Sequence, residues 1–242
     1  MFYYLLTPYL TYHFVLIAAA VIPAIFLMIR VRRADRLEAE PPALLLSLVT
    51  AGVLAALLAL FSERVLSFVL DRTVPQSAAL YPVLLYFGVV AVSEEGAKYL
   101  LLRRRTWHSP DFNCQYDGVV YAVFVSLGFA LWENISYVLH FGFKTALVRA
   151  VTAIPGHACF GVIMGVFFGI AKRLDNEGKH TRSGYCRLFG LLLSMALHGA
   201  YDYIASMETR EGSWYFVAFV SVLFLVSFLL VGKAAKKDRY IA

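Results

Sequence analysis

Apolar residues in this chain come mostly in long runs rather than in short periodic stretches. Seven runs stand out, at about 12–30, 43–62, 80–102, 117–140, 148–171, 187–206 and 213–232. A bilayer span needs about 20 predominantly apolar residues, so each run reads as a transmembrane helix. The fold class expected is all-α, a polytopic membrane bundle of about seven helices. The segment 63–79, ERVLSFVLDRTVPQSAA, interrupts the pattern with Glu63, Arg64, Asp71 and Arg72. It reads as an exposed connection along the interface, or as a partial extra span. No internal repeat and no low-complexity linker appears, so 1–242 is read as a single membrane domain.

Composition agrees with that pattern. The chain is 60% hydrophobic and 16% charged, against about 45–50% and about 25% in ordinary soluble domains. Mean hydropathy is +0.69. The net charge of +6 follows from topology rather than from nucleic-acid binding, because the Lys and Arg residues cluster after alternate spans. Arg30, Arg32, Arg33 and Arg36, then Arg103–Arg105, then Lys172, Arg173, Lys179, Arg182 and Arg187, then Lys233, Lys236, Lys237 and Arg239 all fall on one side. The other side holds Arg64, Arg72, Lys144, Arg149 and Arg210. The positive-inside rule then places the N-terminus outside and the C-terminus in the cytoplasm. Trp107 and Trp214 stand near the expected interfaces. No basic stretch precedes the first apolar run, so it reads as a membrane helix rather than a cleaved leader. Cys114, Cys159 and Cys186 imply no disulfide framework.

The informative residues are those that do not belong in hydrocarbon. Glu94, Glu95 and Lys98 lie in the third span, Glu133 in the fourth, His157 in the fifth, and His198 and Asp202 in the sixth. An ionisable side chain at a span centre costs about 2.5–3.5 kcal/mol on insertion scales. A cost repeated over four consecutive helices points to a shared polar site in about 80–206, with 12–30, 43–62 and 213–232 as apolar supports. Any one of these groups alone would be unremarkable as an interhelical hydrogen-bonding residue.

Spacing sharpens the picture. Glu94 and Lys98 are four apart and share a helix face, so the lysine can hold a neighbouring carboxylate ionised. Glu95 points about 100° further round the same helix. His198 and Asp202 are also four apart, with Gly190 and Ser194 on the same stripe. An Asp so placed can orient the imidazole. His157 follows Pro155 and Gly156, where a span can kink, and aligns with Gly161, Gly165 and Gly169. That small-residue stripe admits a neighbouring helix. Cys159 points elsewhere on the helix and is not expected as a partner of His157. Glu133 lies on a face with Ser126, Phe129 and Tyr137, and Asn134 and Ser136 are close in sequence. Counted from the expected span ends, Glu133, His157 and His198 fall at similar depths. Glu94 and Glu95 fall about 10 Å nearer the basic side at 1.5 Å per residue, a gap that helix tilt can close.

These residues stand in ordered motifs: SEEGAK with EExxK, FALWE with FxxxE, HGAYD with HxxxD, and the run DGVVYAVFVSLGFALWENISY. Together with the His157 segment they resemble the PrsW family of intramembrane proteases, distant relatives of the CAAX-prenyl endopeptidases. The resemblance covers about 80–206. It implies site-1 cleavage of a single-pass anti-sigma factor from its extracytoplasmic side, in the bacterial cytoplasmic membrane, as part of an envelope-stress response. The CAAX-type relatives usually carry His where this chain has Glu133, and often Asn where it has Asp202, which favours PrsW over prenyl-protein processing.

Two chemistries are open for peptide hydrolysis. No Ser or Cys is paired with a base, which disfavours a covalent nucleophile. In a glutamic scheme, Glu94 or Glu95 activates water, Lys98 tunes the carboxylates, His157 or His198 stabilises the oxyanion, and Asp202 orients His198. In a metallo scheme, His157, His198 and one or two carboxylates, Glu133 among them, bind one Zn2+, with Glu94 or Glu95 as base. HExxH is absent, so those ligands must converge from separate helices. Two other function classes compete. A proton- or cation-coupled transporter would also carry buried carboxylates and histidines, and a non-catalytic scaffold would bind a partner helix along the Gly161–Gly169 seam.

Overall fold

The computed structural model describes residues 2–241, and the regular structure among them is helical. Helix α1 spans Phe2–Ala34 and α2 spans Pro42–Thr73. A short α3, Tyr81–Val83, continues through a π-helical stretch, Leu84–Val90, into α4, Ala91–Thr106. Then follow α5 (Asp117–Phe141), α6 (Phe143–Val151), α7 (Ala153–Asn176), α8 (His180–Ala205) and α9 (Arg210–Lys236).

Helix ends fall where backbone chemistry favours them. Pro42 opens α2, where its missing N–H is not needed. Gly142 takes φ 79° between α5 and α6, a conformation that costs a residue with a Cβ. The Thr209 side chain accepts from Gly212 N at the start of α9.

Six helical segments are long and apolar enough to cross a membrane, which makes this a multi-pass membrane protein: 13–34, 42–73, 117–141, 143–176, 180–205 and 210–236. The remaining expected span, 80–102, is helical over 81–106 but carries Glu94, Glu95, Lys98 and Arg103–Arg105. Three local expectations are corrected. The segment 63–79 is a connection only from residue 74 onward, because α2 runs unbroken to Thr73 and takes in 63–73. The fifth span is interrupted at Thr152, between α6 and α7, rather than kinked at Pro155, which sits in the first turn of α7. Trp107 is no interface anchor: it is buried against Phe112 and Phe168, with Lys172 donating to its carbonyl oxygen at 3.0 Å.

Helix α5 is the central strut. Its apolar window is 78% buried, against 17% for α9, and every residue from Asp117 to Ala130 is buried. It is clasped by α2 and α7 through glycines. A Cβ on Gly165 of α7 would stand 2.5 Å from the Gly118 carbonyl oxygen of α5, and one on Gly52 of α2 would overlap the Val125 carbonyl. These contacts leave no room for a side chain, so backbone packs on backbone as membrane helices do at small-residue seams. The lipid-facing sides of α1, α2 and α9 expose Phe14, Phe26, Phe61 and Phe228.

Candidate active site

Helices α4, α5, α7 and α8 bring the expected ionisable groups to one place. On α4, Glu94 and Lys98 share a face, and Lys98 Nζ donates to Glu94 Oε2 at 3.2 Å and to Glu95 Oε1 at 2.7 Å. The same ammonium lies 3.2 Å from His157 Nδ1 and 3.9 Å from the centroid of the Phe129 ring. The Phe of FxxxE therefore forms a cation–π floor for the lysine.

His157, on α7, is held from its other side: Nε2 lies 2.8 Å from Glu133 Oε2 on α5. His198, on α8, has Nδ1 2.9 Å from Glu95 Oε1, and Nε2 3.3 Å from Asp202 Oδ2 and 3.8 Å from Glu94 Oε2. The two imidazoles stand at 89° with centroids 5.4 Å apart, and Phe160 stacks on His198. Glu94, Glu95, Lys98, His157 and His198 are all buried, Glu95 at 0% exposure. In such surroundings an isolated charge is untenable, so mutual pairing is what keeps these groups in the core. The depth gap expected for Glu94 and Glu95 is closed, and they meet His198 directly.

A cavity of about 370 Å³ adjoins the cluster. Glu94, Glu133, His157, His198 and Asp202 line it, with Phe129, Trp132, Arg149 and Tyr201. Glu95 and Lys98 lie behind its wall. The lining comes from residues 56–63 of α2, the π-helical stretch, the first turn of α4, the second half of α5, α6, the start of α7 and the end of α8. These ends share one face of the bundle, opposite the arginines at the close of α1 and α4.

Four buried groups, Glu94, Glu95, His157 and His198, each place a donor atom within 4.8 Å of the others. Glu133, expected as a metal ligand beside the two histidines, falls outside this set. Its Oε2 is taken by His157 and by Arg149 Nη2 at 2.9 Å. It lines the cavity beside His157, whose Nε2 it holds.

Two charged lining residues, Glu63 and Arg149, are not among the site residues expected from sequence. Glu63 was assigned to a connection but belongs to α2 and faces the cavity. Arg149 was counted only as a loop charge. It sits on α6, donates through Nε to Asn134 Oδ1 at 2.9 Å, and stacks over Tyr137. Asn134 in turn donates to the Ala20 carbonyl of α1 at 3.1 Å. The only sequence signal for Arg149 was a cation at the start of an otherwise apolar run.

Comparison with known proteins shows the family. The model of the PrsW family intramembrane metalloproteases matches residues 40–231. The chain is similar to proteins named Protease PrsW: 34% identical over 199 residues to that of Geobacillus kaustophilus, covering 82% of this chain and 83% of the relative. It is 31% identical over 226 residues to that of Bacillus subtilis, with 93% and 96% covered, and 29% identical over 214 residues to that of Clostridioides difficile, with 86% of each covered. No solved structure matches. The chain, a multi-pass membrane-embedded peptidase, thus belongs to the PrsW family of intramembrane metalloproteases.

Proposed function

We propose that this protein performs site-1 cleavage of a single-pass membrane protein, such as an anti-sigma factor, with water activated by Glu94. One observation carries the assignment: of the adjacent carboxylates, Glu94 lines the cavity and Glu95 is sealed behind it against Lys98 and His198. Glu94 takes a proton from water as the water oxygen bonds to the peptide carbonyl carbon. It returns that proton to the leaving nitrogen as the C–N bond breaks, giving a new carboxyl end and a new amine end. His198, held at Nδ1 by Glu95, turns Nε2 toward Glu94 and Asp202 and is the donor to the oxyanion, whereas both ring nitrogens of His157 are engaged, by Lys98 and by Glu133, so it positions those two groups. Lys98 fixes the charge of the carboxylate pair from below.

The donor set also fits a metal. Two imidazoles and a carboxylate suit Zn2+, and Glu94, His157 and His198 would hold it with Glu133 and Glu95 as outer partners of the imidazoles. A bound zinc would polarise the carbonyl and lower the pKa of water. The Lys98 ammonium already faces His157 Nδ1, so metal and ammonium are alternatives at that nitrogen.

The basic ends of α1 and α4 are assigned to the cytoplasm. The cavity then lies toward the extracytoplasmic side, where a site-1 cut falls.

The test is cleavage of a single-pass reporter by the purified protein in liposomes, with metal content measured alongside. Wild type is expected to cleave and Glu94→Gln not. About one zinc per chain, lost in both His157→Ala and His198→Ala, establishes the metallo scheme. A folded, active, metal-free protein establishes the glutamic one. Cleavage by Glu94→Gln at the wild-type rate removes the proposed base.

A further inference from the structure

A second cluster of carboxylates lies at the opposite, arginine-bearing end of the bundle. Asp35 and Glu40 come from the α1–α2 linker and Asp117 from the first residue of α5, and each places an oxygen within 4.8 Å of the others. Asp238, just past α9, is close enough to Asp35 for the two to repel.

These groups are not solvated surface charges. Glu40 is 4% exposed and Asp117 1%. Asp117 Oδ2 accepts from the Asn113 and Cys114 amides at 3.1 and 2.7 Å, whereas its Oδ1 is buried with no donor. Asp238 repeats the arrangement: Oδ1 accepts from the Tyr116 and Arg239 amides, and Oδ2 is buried and unpartnered. Asp35 faces the Leu37 and Glu38 amides, but neither of its oxygens reaches hydrogen-bond geometry.

Cations are close in sequence yet none is used. Arg32, Arg33, Arg36 and Arg239 flank these positions, but the ion pairs among the described residues include none of the four carboxylates. Burial pushes the Glu40 carboxyl up to about 7, in spite of hydrogen bonds to the Tyr121 and Asp117 side chains, and, with the repulsion of Asp238, the Asp35 carboxyl up to about 6. Buried carboxylate oxygens left without donors are costly unless something positive meets them.

We propose that Asp35, Glu40 and Asp117 form a structural site for a hard divalent cation, of the Ca2+, Mg2+ or Mn2+ class, with Asp238 adding negative charge from the C-terminal tail. An all-oxygen carboxylate set selects that class over the zinc class, which favours nitrogen and sulfur donors. The ion would tie the α1–α2 linker to the head of α5 and to the C-terminal tail. That tail is already laced to the same loop by Ile241 N to Asn113 O at 2.7 Å and Gln115 N to Arg239 O at 3.0 Å. The site is separate from the intramembrane cluster, and its existence does not depend on the proteolytic reading.

The test uses the full chain, purified in detergent and stripped of divalent ions. Ca2+ is the probe, because the imidazole-rich intramembrane cluster is a poor calcium site. Saturable binding of about one Ca2+ per chain and a rise in melting temperature are expected. Both should fall at least about tenfold in affinity, a loss of about 1.4 kcal/mol, in Asp35→Asn and Glu40→Gln. Asp35→Asn is the safer of the two for folding, since its carboxylate makes no hydrogen bond of ordinary geometry. Competition by Mg2+ or Mn2+ ranks the ions within the class. Absence of saturable binding by folded wild type overturns the proposal and leaves protons as the neutralising charge. Binding unchanged in both variants overturns it as well.

Discussion

Lys98 is the residue on which the polar core depends. It is 1% exposed, touches both carboxylates of α4 and faces His157. Replacing it with Met leaves two buried carboxylates without their cation, and breaking a buried pair typically costs about 3–5 kcal/mol. Lys98→Met should therefore lower the melting temperature and the yield of folded protein, read by thermal unfolding in detergent. Glu94→Gln is isosteric, lines the cavity and leaves Lys98 its shorter pair with Glu95, so it should lose less stability than Lys98→Met while losing about 10²–10⁴-fold in cleavage, the usual contribution of a general base. Equal losses of stability in the two variants would show that the two residues do not differ in role. At this scale EExxK and HxxxD were legible because an i, i+4 relation is local to one helix. Arg149 was not, since its partners Glu133 and Asn134 lie on another helix.

At the scale of elements, the site depends on how closely α5 can be approached. Gly165→Ala puts a methyl group against the Gly118 carbonyl and the Val119 backbone. Overpacking typically costs about 1–3 kcal/mol, and here the obstacle is backbone that no rotamer change can clear. A lowered melting temperature is expected, with reduced cleavage because α7 carries His157. Gly232→Ala, where nothing lies within 4 Å, should behave as wild type. Similar melting temperatures for the two variants would contradict the seam. The π-helical stretch 84–90 acts on the same site: its wider turn alters the register of the residues leading into α4, and it seats Phe87 against Gly199, next to His198. No periodicity in the apolar run signalled it, because an all-apolar sequence carries no register mark.

For the whole molecule, the question is which face of the bundle the cavity serves. With the N-terminus outside, a cysteine introduced at Ser77, in the α2–α3 connection, should react with a membrane-impermeant maleimide in intact cells of a cysteine-free background. One at Glu177, after α7, should not. The opposite pattern would turn the cavity to the cytoplasm and exclude a site-1 cut from outside.

The sequence by itself determined that the chain is a membrane bundle, which helices carry ionisable groups, and which family motifs they form. Those follow from local rules: an unbroken apolar run needs only its own length to be a span, and the cost of a charge in hydrocarbon does not depend on fold. Tertiary structure alone decided that Glu94 faces the cavity while Glu95 is sealed, that Glu133 pairs with His157 and Arg149 instead of joining the four-donor cluster, that Glu63 and Arg149 enter the lining, and that Asp35, Glu40 and Asp117 meet across 82 residues of chain. Each of these depends on tilt, register and the distance between helix axes. Contacts between different helices set those quantities, and a linear pattern within one helix does not contain them.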